Sequence, residues 1–281
     1  MAEESEVINI EEEGESSEFK EISLFEAVGD TVNSLAKCLG ARIVPFFLSV
    51  ISHFERLVDQ KNNHYFKSLG VSTIAEVLRL TKLDPTPFIA NLIRVVFGAL
   101  TDKDPVTRSN AVFCSGIIMQ NAGPNGVQYH LQVMDAICPS LRTVPTQEEP
   151  LLRQLRDNAA GATARMLLVQ GSPLPLETVL PLWMAALPLL ADFEEYVPVL
   201  EALAALLVNQ QQRMVTSMPR VMETVVAAVA VNGKTTSSLV EPIKKVANVL
   251  NMVRTKFPAD FNKLMSMLPQ DCQAVILKLL A

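Results

Sequence analysis

The clearest indication of the fold is the stretch Asp102-Lys-Asp-Pro-Val-Thr-Arg-Ser-Asn-Ala111. The chain repeats it in altered form as Glu149-Pro-Leu-Leu-Arg-Gln-Leu-Arg-Asp-Asn-Ala159. The two Arg-x-Asn-Ala tetrapeptides lie 48 residues apart, since 156 − 108 = 48. An internal repeat of this length, in a chain without strand signals, is typical of stacked pairs of helices. The repeat therefore predicts an elongated helical array, which usually offers a surface for binding instead of an enclosed catalytic pocket.

Apolar residues at helical spacing divide the chain into alternating first and second helices. We call the second helix of each pair the inner helix. The inner helices are expected to begin near residues 62, 104, 150, 192 and 236, with spacings of 42, 46, 42 and 44. Periods of roughly 40 to 47 residues favour HEAT or armadillo repeats over shorter helical repeats. The prediction is all-α: a HEAT-repeat α-solenoid, a right-handed superhelix of antiparallel helix pairs.

Charge divides the chain into two predicted regions. Residues 1–20 hold eight glutamates before the first basic residue, Lys20, and this acidic leader is expected to be flexible because like charges repel. Residues 21–281 are expected to form about six helix pairs, the first beginning with a helix from Glu21 to Leu39. The net charge of −6 argues against general nucleic-acid binding and is compatible with a basic partner.

The sequence also lacks the usual signs of a membrane span or a disulfide framework. Its most apolar run, residues 178–191, is shorter than the ~20 residues that a span needs and is interrupted by Pro181 and Pro188. The four cysteines form no C-x-x-C pair. A chain without a membrane partner, in a reducing compartment, is therefore expected.

No constellation of residues points to catalysis. The three histidines lack the spacing of a metal site, and Cys114-Ser-Gly116 lacks the first glycine of a nucleophile elbow. The glycine-rich stretch Gly123-Pro-Asn-Gly126 lacks the lysine of a phosphate loop. We therefore expect no catalytic residue, no bound metal and no cofactor; an enzyme with a site of another kind is the least favoured alternative.

Two groups of polar residues are candidates for specific roles. Asp102, Arg108 and Arg156 are expected to form a structural ladder, in which an acid at a turn reaches an arginine of a neighbouring inner helix; cargo contact is the alternative for the two arginines. Glu194, Glu195 and Tyr196 begin an inner helix, where the acids either interact with the helix dipole or form an acidic clamp for a basic peptide.

Several segments, in their order along the chain, resemble the carboxy-terminal HEAT repeats of karyopherin-β nuclear import receptors. They are Glu26-Ala-Val-Gly-Asp30 after the acidic run, Asp104-Pro-Val-Thr-Arg-Ser-Asn-Ala-Val-Phe113, Arg156-Asp-Asn158 and Glu194-Glu-Tyr196. The resemblance implies a cargo-binding part of such a receptor, present in cytoplasm and nucleus, with basic proteins as cargo. Core histones, with or without a histone chaperone, are the cargo that it implies. Ran-GTP would bind only through an amino-terminal half that has no counterpart here.

The candidate cargo contacts rest on this resemblance and on placement at inner-helix starts. They are Asn110, Asp157, Asn158, Glu194, Glu195 and Tyr196. These residues are expected to lie on a concave inner-helix face and to pair with lysine and arginine of the cargo. A HEAT-repeat scaffold subunit that assembles a multiprotein complex is the alternative function.

Overall fold

The structure is a computed structural model that describes residues 2–59, 61–235 and 237–281, with side chains from Lys20 onward except Gln211. Within those residues the regular structure is entirely helical, which confirms the all-α solenoid class. The α-helices are α1 (Ala2–Leu39), α2 (Val44–Leu57), α3 (His64–Thr81), α4 (Ile89–Leu100), α5 (Pro105–Ala122), α6 (His130–Arg142), α7 (Pro150–Leu168), α8 (Leu176–Ala185), α9 (Tyr196–Asn209), α10 (Gln211–Met214), α11 (Met218–Val231), α12 (Val240–Lys256), α13 (Pro258–Ser266) and α14 (Gln270–Leu279).

The inner helices are α3, α5, α7, α9 and α12. They begin at residues 64, 105, 150, 196 and 240, so their starts are 41, 45, 46 and 44 residues apart. The step from α5 to α7 is therefore 45 residues, where the repeated tetrapeptides are 48 apart. Arg108 and Arg156 consequently occupy positions that differ by about one helical turn.

Contacts divide the chain into two compact units, residues 1–114 and 115–281. In the first unit α3 packs against α1 and α2. Aliphatic and aromatic side chains fill the contacts between these helices, among them the fully buried Phe47, Val71, Ile74 and Leu78. Removing each such side chain from water stabilises the fold by about 1.5 to 3 kcal/mol.

In the second unit the inner helices form a continuous row: α7 packs against α9, and α9 packs against α12. In addition, α6 packs against both α7 and α8, and α11 packs against α12 and α14. Residues 115–281 therefore have the two-layer arrangement expected of stacked helix pairs. That residues 21–281 form one array of about six pairs stays a prediction.

Helix α1 begins well before the start expected from the sequence, and helix α8 ends within the apolar run of residues 178–191. Helix α1 begins at Ala2 instead of Glu21; glutamates are good helix formers and favour the positive end of the helix dipole. The side chains before Lys20 lie outside the described set, and flexibility of residues 1–20 stays a prediction. Helix α8 ends at Ala185 because Pro188 follows, and the residue before a proline is disfavoured in helical conformation.

Among the residues that the structure describes, two helical stretches are long and apolar enough to cross a membrane, judged by length and composition alone. They are Lys20–Leu57, in which a 3-10 turn at Gly40–Ile43 interrupts the α-helix, and Gln212–Val231. The second contributes buried side chains to the core, including Val221, Met222 and Val225. Buried core helices of ordinary globular proteins meet the same two criteria, so the absence of a membrane partner stays a prediction.

Candidate functional site

A buried ion pair joins α7 to the start of α9. Both guanidinium ends of Arg165 donate to the Glu195 carboxylate, with 2.8 Å between Nη2 and Oε1, and the two side chains are only 6% and 2% exposed. Arg165 Nε also donates to Gln120 Oε1 of α5 at 3.2 Å. Two buried charges need close, well-aligned hydrogen bonds of this kind, because these bonds compensate for the hydration that each charge loses on burial. The pair therefore fixes the position of three successive inner helices.

Small residues on α5 and α7 allow the close approach on which this pair depends. A Cβ on Gly116 would lie 2.7 Å from the Cα of Ala162, and a Cβ on Gly161 would overlap the Glu195 carboxylate. Ala159 and Ala164 are fully buried on the same helix as Gly161. These small side chains therefore lie in the helix contacts.

Asp157 holds the turn that leads into α9. Its Oδ2 accepts hydrogen bonds from the backbone N–H groups of residues 190, 191 and 192, at 2.8, 2.6 and 2.9 Å. Burial raises the pKa of Asp157 to about 6, although the three N–H donors favour the charged form. Burial also raises the pKa of Asp192 to about 6, and the nearby Glu195 charge adds to that rise. A carboxylate with this role shapes the loop and has little surface to offer a partner.

Tyr196 and Trp183 are both fully buried beside this loop. The Tyr196 ring stacks on Phe193 with 6.3 Å between ring centroids, and burial raises the pKa of its hydroxyl. Trp183 Nε1 donates to the Ala160 carbonyl of α7 at 2.9 Å, as expected for a tryptophan in the core. Asn158 is only 3% exposed.

Of the six candidate cargo contacts, only Asn110 and Glu194 keep part of their surface. Asn110 donates to Ser68 Oγ of α3 at 2.9 Å, and the backbone N–H of Ser237 donates to Glu194 Oε2 at 3.2 Å. Asp157, Asn158, Glu195 and Tyr196 are buried, which corrects the expectation that their side chains lie on an open face. Their type and position gave no sign of this, because a buried carboxylate and a solvated one look alike in a sequence.

The predicted ladder has different partners from those expected. Asp102 pairs with Lys67 of α3 at 2.8 Å; burial opposes its charge, but this bond brings the pKa of Asp102 below its usual value. Arg108 Nη1 donates to the carbonyls of Asp102 and Lys103 in its own turn, and Arg156 Nη2 donates to the Ala185 carbonyl. The acid therefore does reach the neighbouring inner helix, but it meets a lysine there.

Several side chains link one repeat to the next, and the sequence patterns described above did not point to them. Hydrogen bonds join Thr107 to His64, His130 to Ser172, Lys245 to Glu201, and Arg165 to Gln120, at separations of 43, 42, 44 and 45 residues. A search for polar residues at the inner-helix spacing would have found these pairs.

Several exposed charges of the inner helices occur as ion pairs. Glu76 pairs with Arg79 within α3, and Glu201 of α9 pairs with Lys245 of α12 at 2.9 Å. Among the described residues no group of three or more His, Cys, Asp or Glu side chains could hold a metal ion. Such a surface can bind another macromolecule by exchanging these pairs for pairs with the partner.

No protein-family model matches the chain. A probable importin subunit beta-4 of Schizosaccharomyces pombe is 24% identical over 261 residues, which are 91% of this chain and 24% of that protein. Human Importin-4 is 28% identical over 177 residues, covering 63% of this chain and 16% of its own length. Mouse Importin-4 is 26% identical over 193 residues, covering 68% and 17%.

The chain thus spans about a quarter or less of the length of these curated relatives. The likeness nonetheless extends over most of the chain and over organisms as distant as yeast and human. It agrees with inner helices that recur every 41 to 46 residues and bond to one another across that interval. The chain is therefore similar, over most of its length, to members of the importin-β family.

Proposed function

We propose that this chain is the cargo-binding segment of a nuclear import receptor and holds basic proteins on the exposed faces of its inner helices. The observation that carries the proposal is the similarity to importin-4 proteins over most of the chain. Core histones, with or without a histone chaperone, are the proposed cargo. A receptor of this kind would work in both cytoplasm and nucleus.

The acidic character of the chain supports a basic cargo. Its net charge is −6, and eight glutamates precede Lys20. Attraction between opposite charges speeds the encounter of two proteins and makes binding sensitive to salt. The acidic leader, residues 1–20, is accordingly a second contact region in this proposal.

The start of α9 is the proposed centre of the cargo surface in the second unit. Glu194 keeps part of its surface, and Glu201, which lies about two helical turns further along, has a side chain that is 35% exposed. The buried Asp157, Asn158, Glu195 and Tyr196 would act indirectly, by holding the turn that presents Glu194. Asn110 of the first unit is proposed as a separate polar contact.

Binding of purified core histones across a series of salt concentrations tests the proposal. The parent chain should bind histones, with an affinity that falls as salt rises, and should not bind Ran-GTP. The double variant Glu194→Gln/Glu201→Gln should bind histones more weakly. Exposed charge pairs are worth about 0 to 1 kcal/mol each, so the loss should not exceed about thirtyfold.

A matched variant separates a local effect from a loss of overall charge. Glu177→Gln/Glu223→Gln removes two exposed carboxylates from α8 and α11, which are not inner helices, and should retain parental affinity. Equal weakening in both variants would remove the start of α9 from the site. Absence of histone binding by the parent chain would favour the scaffold-subunit function.

A further inference from the structure

A groove of about 540 Å³ lies between α2 and α4 in the first unit. One wall comes from the last turns of α2 and the residues that follow it, including Arg56. The other wall comes from α4, including Arg94. Both arginines are exposed, so the groove has a guanidinium group on each of its two walls.

A histidine and an asparagine side chain hold the two guanidinium groups. Arg56 Nη2 lies 2.5 Å from the ring nitrogen Nδ1 of His53, and Arg94 Nη2 donates to Asn91 Oδ1 at 2.5 Å. In the part of the chain that the structure describes, neither group has a carboxylate within ion-pairing distance. Since a guanidinium carries five N–H donors in a fixed fork, most of their donors face the groove or solvent.

The two carboxylates that line the groove already accept hydrogen bonds from the protein. Glu55 Oε1 accepts from Asn91 Nδ2 at 2.6 Å, and Asp59 Oδ1 accepts from the backbone N–H of Lys61 at 3.0 Å. Asn91 thus bonds to Glu55 on one side and to Arg94 on the other. This arrangement orients the Arg94 guanidinium while leaving its positive charge without an ion-pair partner.

The remaining walls of the groove combine one hydroxyl group with small apolar residues. Ser52 contributes the hydroxyl, Val58 and Val95 contribute apolar side chains, and Gly98 adds no side chain that could fill the space. An occupant therefore meets a partly apolar surface between the two cationic groups. Among the groups that a peptide can present, a carboxylate fits a planar guanidinium best, because two parallel N–H groups of the guanidinium can donate to the two carboxylate oxygens.

We propose that this groove binds an acidic segment of a partner protein, with its carboxylates on Arg56 and Arg94 and an apolar side chain between them on Val58 and Val95. The ligand has the opposite charge to the proposed basic cargo, and the groove lies in a different unit from the proposed centre of the cargo surface at the start of α9. The groove therefore serves a second kind of partner and does not depend on histone binding.

Fluorescence anisotropy with two labelled synthetic peptides tests the assignment. The probe is the peptide Glu-Glu-Leu-Glu-Glu, and the analogue is Gln-Gln-Leu-Gln-Gln. The parent chain should bind the glutamate peptide and not the glutamine peptide. Hydrogen bonds between charged groups contribute strongly to the free energy of binding. The Arg56→Gln/Arg94→Gln variant should therefore bind the probe at least about tenfold more weakly than the parent chain.

The control variant Arg220→Gln/Lys244→Gln removes the same charge from exposed helix positions in the second unit and should bind the probe within about twofold of the parent. Thermal melting by circular dichroism verifies that both variants fold, as expected for exposed substitutions. Equal losses in the two variants, or unaltered binding by Arg56→Gln/Arg94→Gln, would overturn the proposal. Displacement of the peptide by an equal concentration of inorganic phosphate would reassign the groove to phosphate.

Discussion

Gly161 is the position where the smallest substitution should have the largest effect on stability. It lies on α7 directly against the Glu195 carboxylate, and a methyl group there would occupy the space of one carboxylate oxygen. The Arg165–Glu195 pair is almost fully buried, so the carboxylate cannot move aside without leaving the guanidinium unpaired. Gly161→Ala therefore acts as a test of how much the inter-repeat ion pair contributes.

The expected free-energy change combines two opposing effects. Alanine in a helix interior is favoured over glycine by about 1 kcal/mol. Breaking a buried ion pair costs about 3 to 5 kcal/mol, because one charge is left in a low-dielectric site. Gly161→Ala should therefore lower the free energy of unfolding by about 2 to 4 kcal/mol, whereas the same change at an exposed helical glycine would raise it.

Urea unfolding followed by tryptophan fluorescence measures this effect locally. Trp183 is the one tryptophan in the sequence, and its Nε1 donates to the carbonyl of Ala160, the residue before Gly161. The emission therefore reports on the second unit, while far-UV circular dichroism follows the whole chain. A parental unfolding midpoint for Gly161→Ala would refute the reasoning.

The background variant Glu195→Ala supplies the control, because it removes the carboxylate that the new methyl group would meet. In that background Gly161→Ala should be neutral or stabilising by up to about 1 kcal/mol. A loss of similar size in both backgrounds would show that the cost does not come from the ion pair.

Two further predictions concern the second unit. Gly116→Leu should destabilise the fold by about 1 to 3 kcal/mol or more in urea unfolding, because its side chain would overlap Ala162; a parental midpoint with loss of a partner would instead make Gly116 a contact residue. Burial lowers the pKa of His130 to about 4 from an ordinary value near 6.5, so the unfolded state binds the proton first as the solution is acidified. Stability from the neutral ring is complete above pH 6.5 and is lost as pH falls towards 4, by about 3 kcal/mol in total. His130→Gln, which does not titrate, should lose less stability over that interval in urea titrations, and parallel curves for the two proteins would contradict the assignment.

Helix positions followed from the sequence where a local signal marks the boundary. Pro105 and Pro150 begin α5 and α7, as expected of prolines in a first helical turn, where the missing N–H costs little. The end of α8 at Ala185 was harder to predict, since the apolar run continues through Leu187 and Leu189. Hydrophobicity alone extends that helix, whereas the backbone restriction before Pro188 ends it.

The functional residues were harder to predict because their roles depend on partners elsewhere in the sequence. Glu195 was expected at a solvated helix start, yet its partner Arg165 lies 30 residues earlier and is itself buried. The repeated tetrapeptide also aligned Arg156 with Arg108, although the inner helices are offset by 45 residues there. A one-turn error in register moves a side chain to a different neighbour along the helix, so similarity of short segments could not identify the bonding partners.

The spacing of the hydrogen bonds between inner helices has a consequence for how the chain folds during synthesis. Bonds such as Asn110 to Ser68 and Glu194 to Ser237 join residues 42 and 43 positions apart. Contacts this close in sequence form without closing long loops. Each repeat can therefore pack against the next pair of helices as soon as that pair has left the ribosome. Native structure can therefore grow from the amino-terminal end at the pace of translation. A block in elongation within the second unit would leave the earlier repeats folded, with one apolar helix face awaiting the next pair.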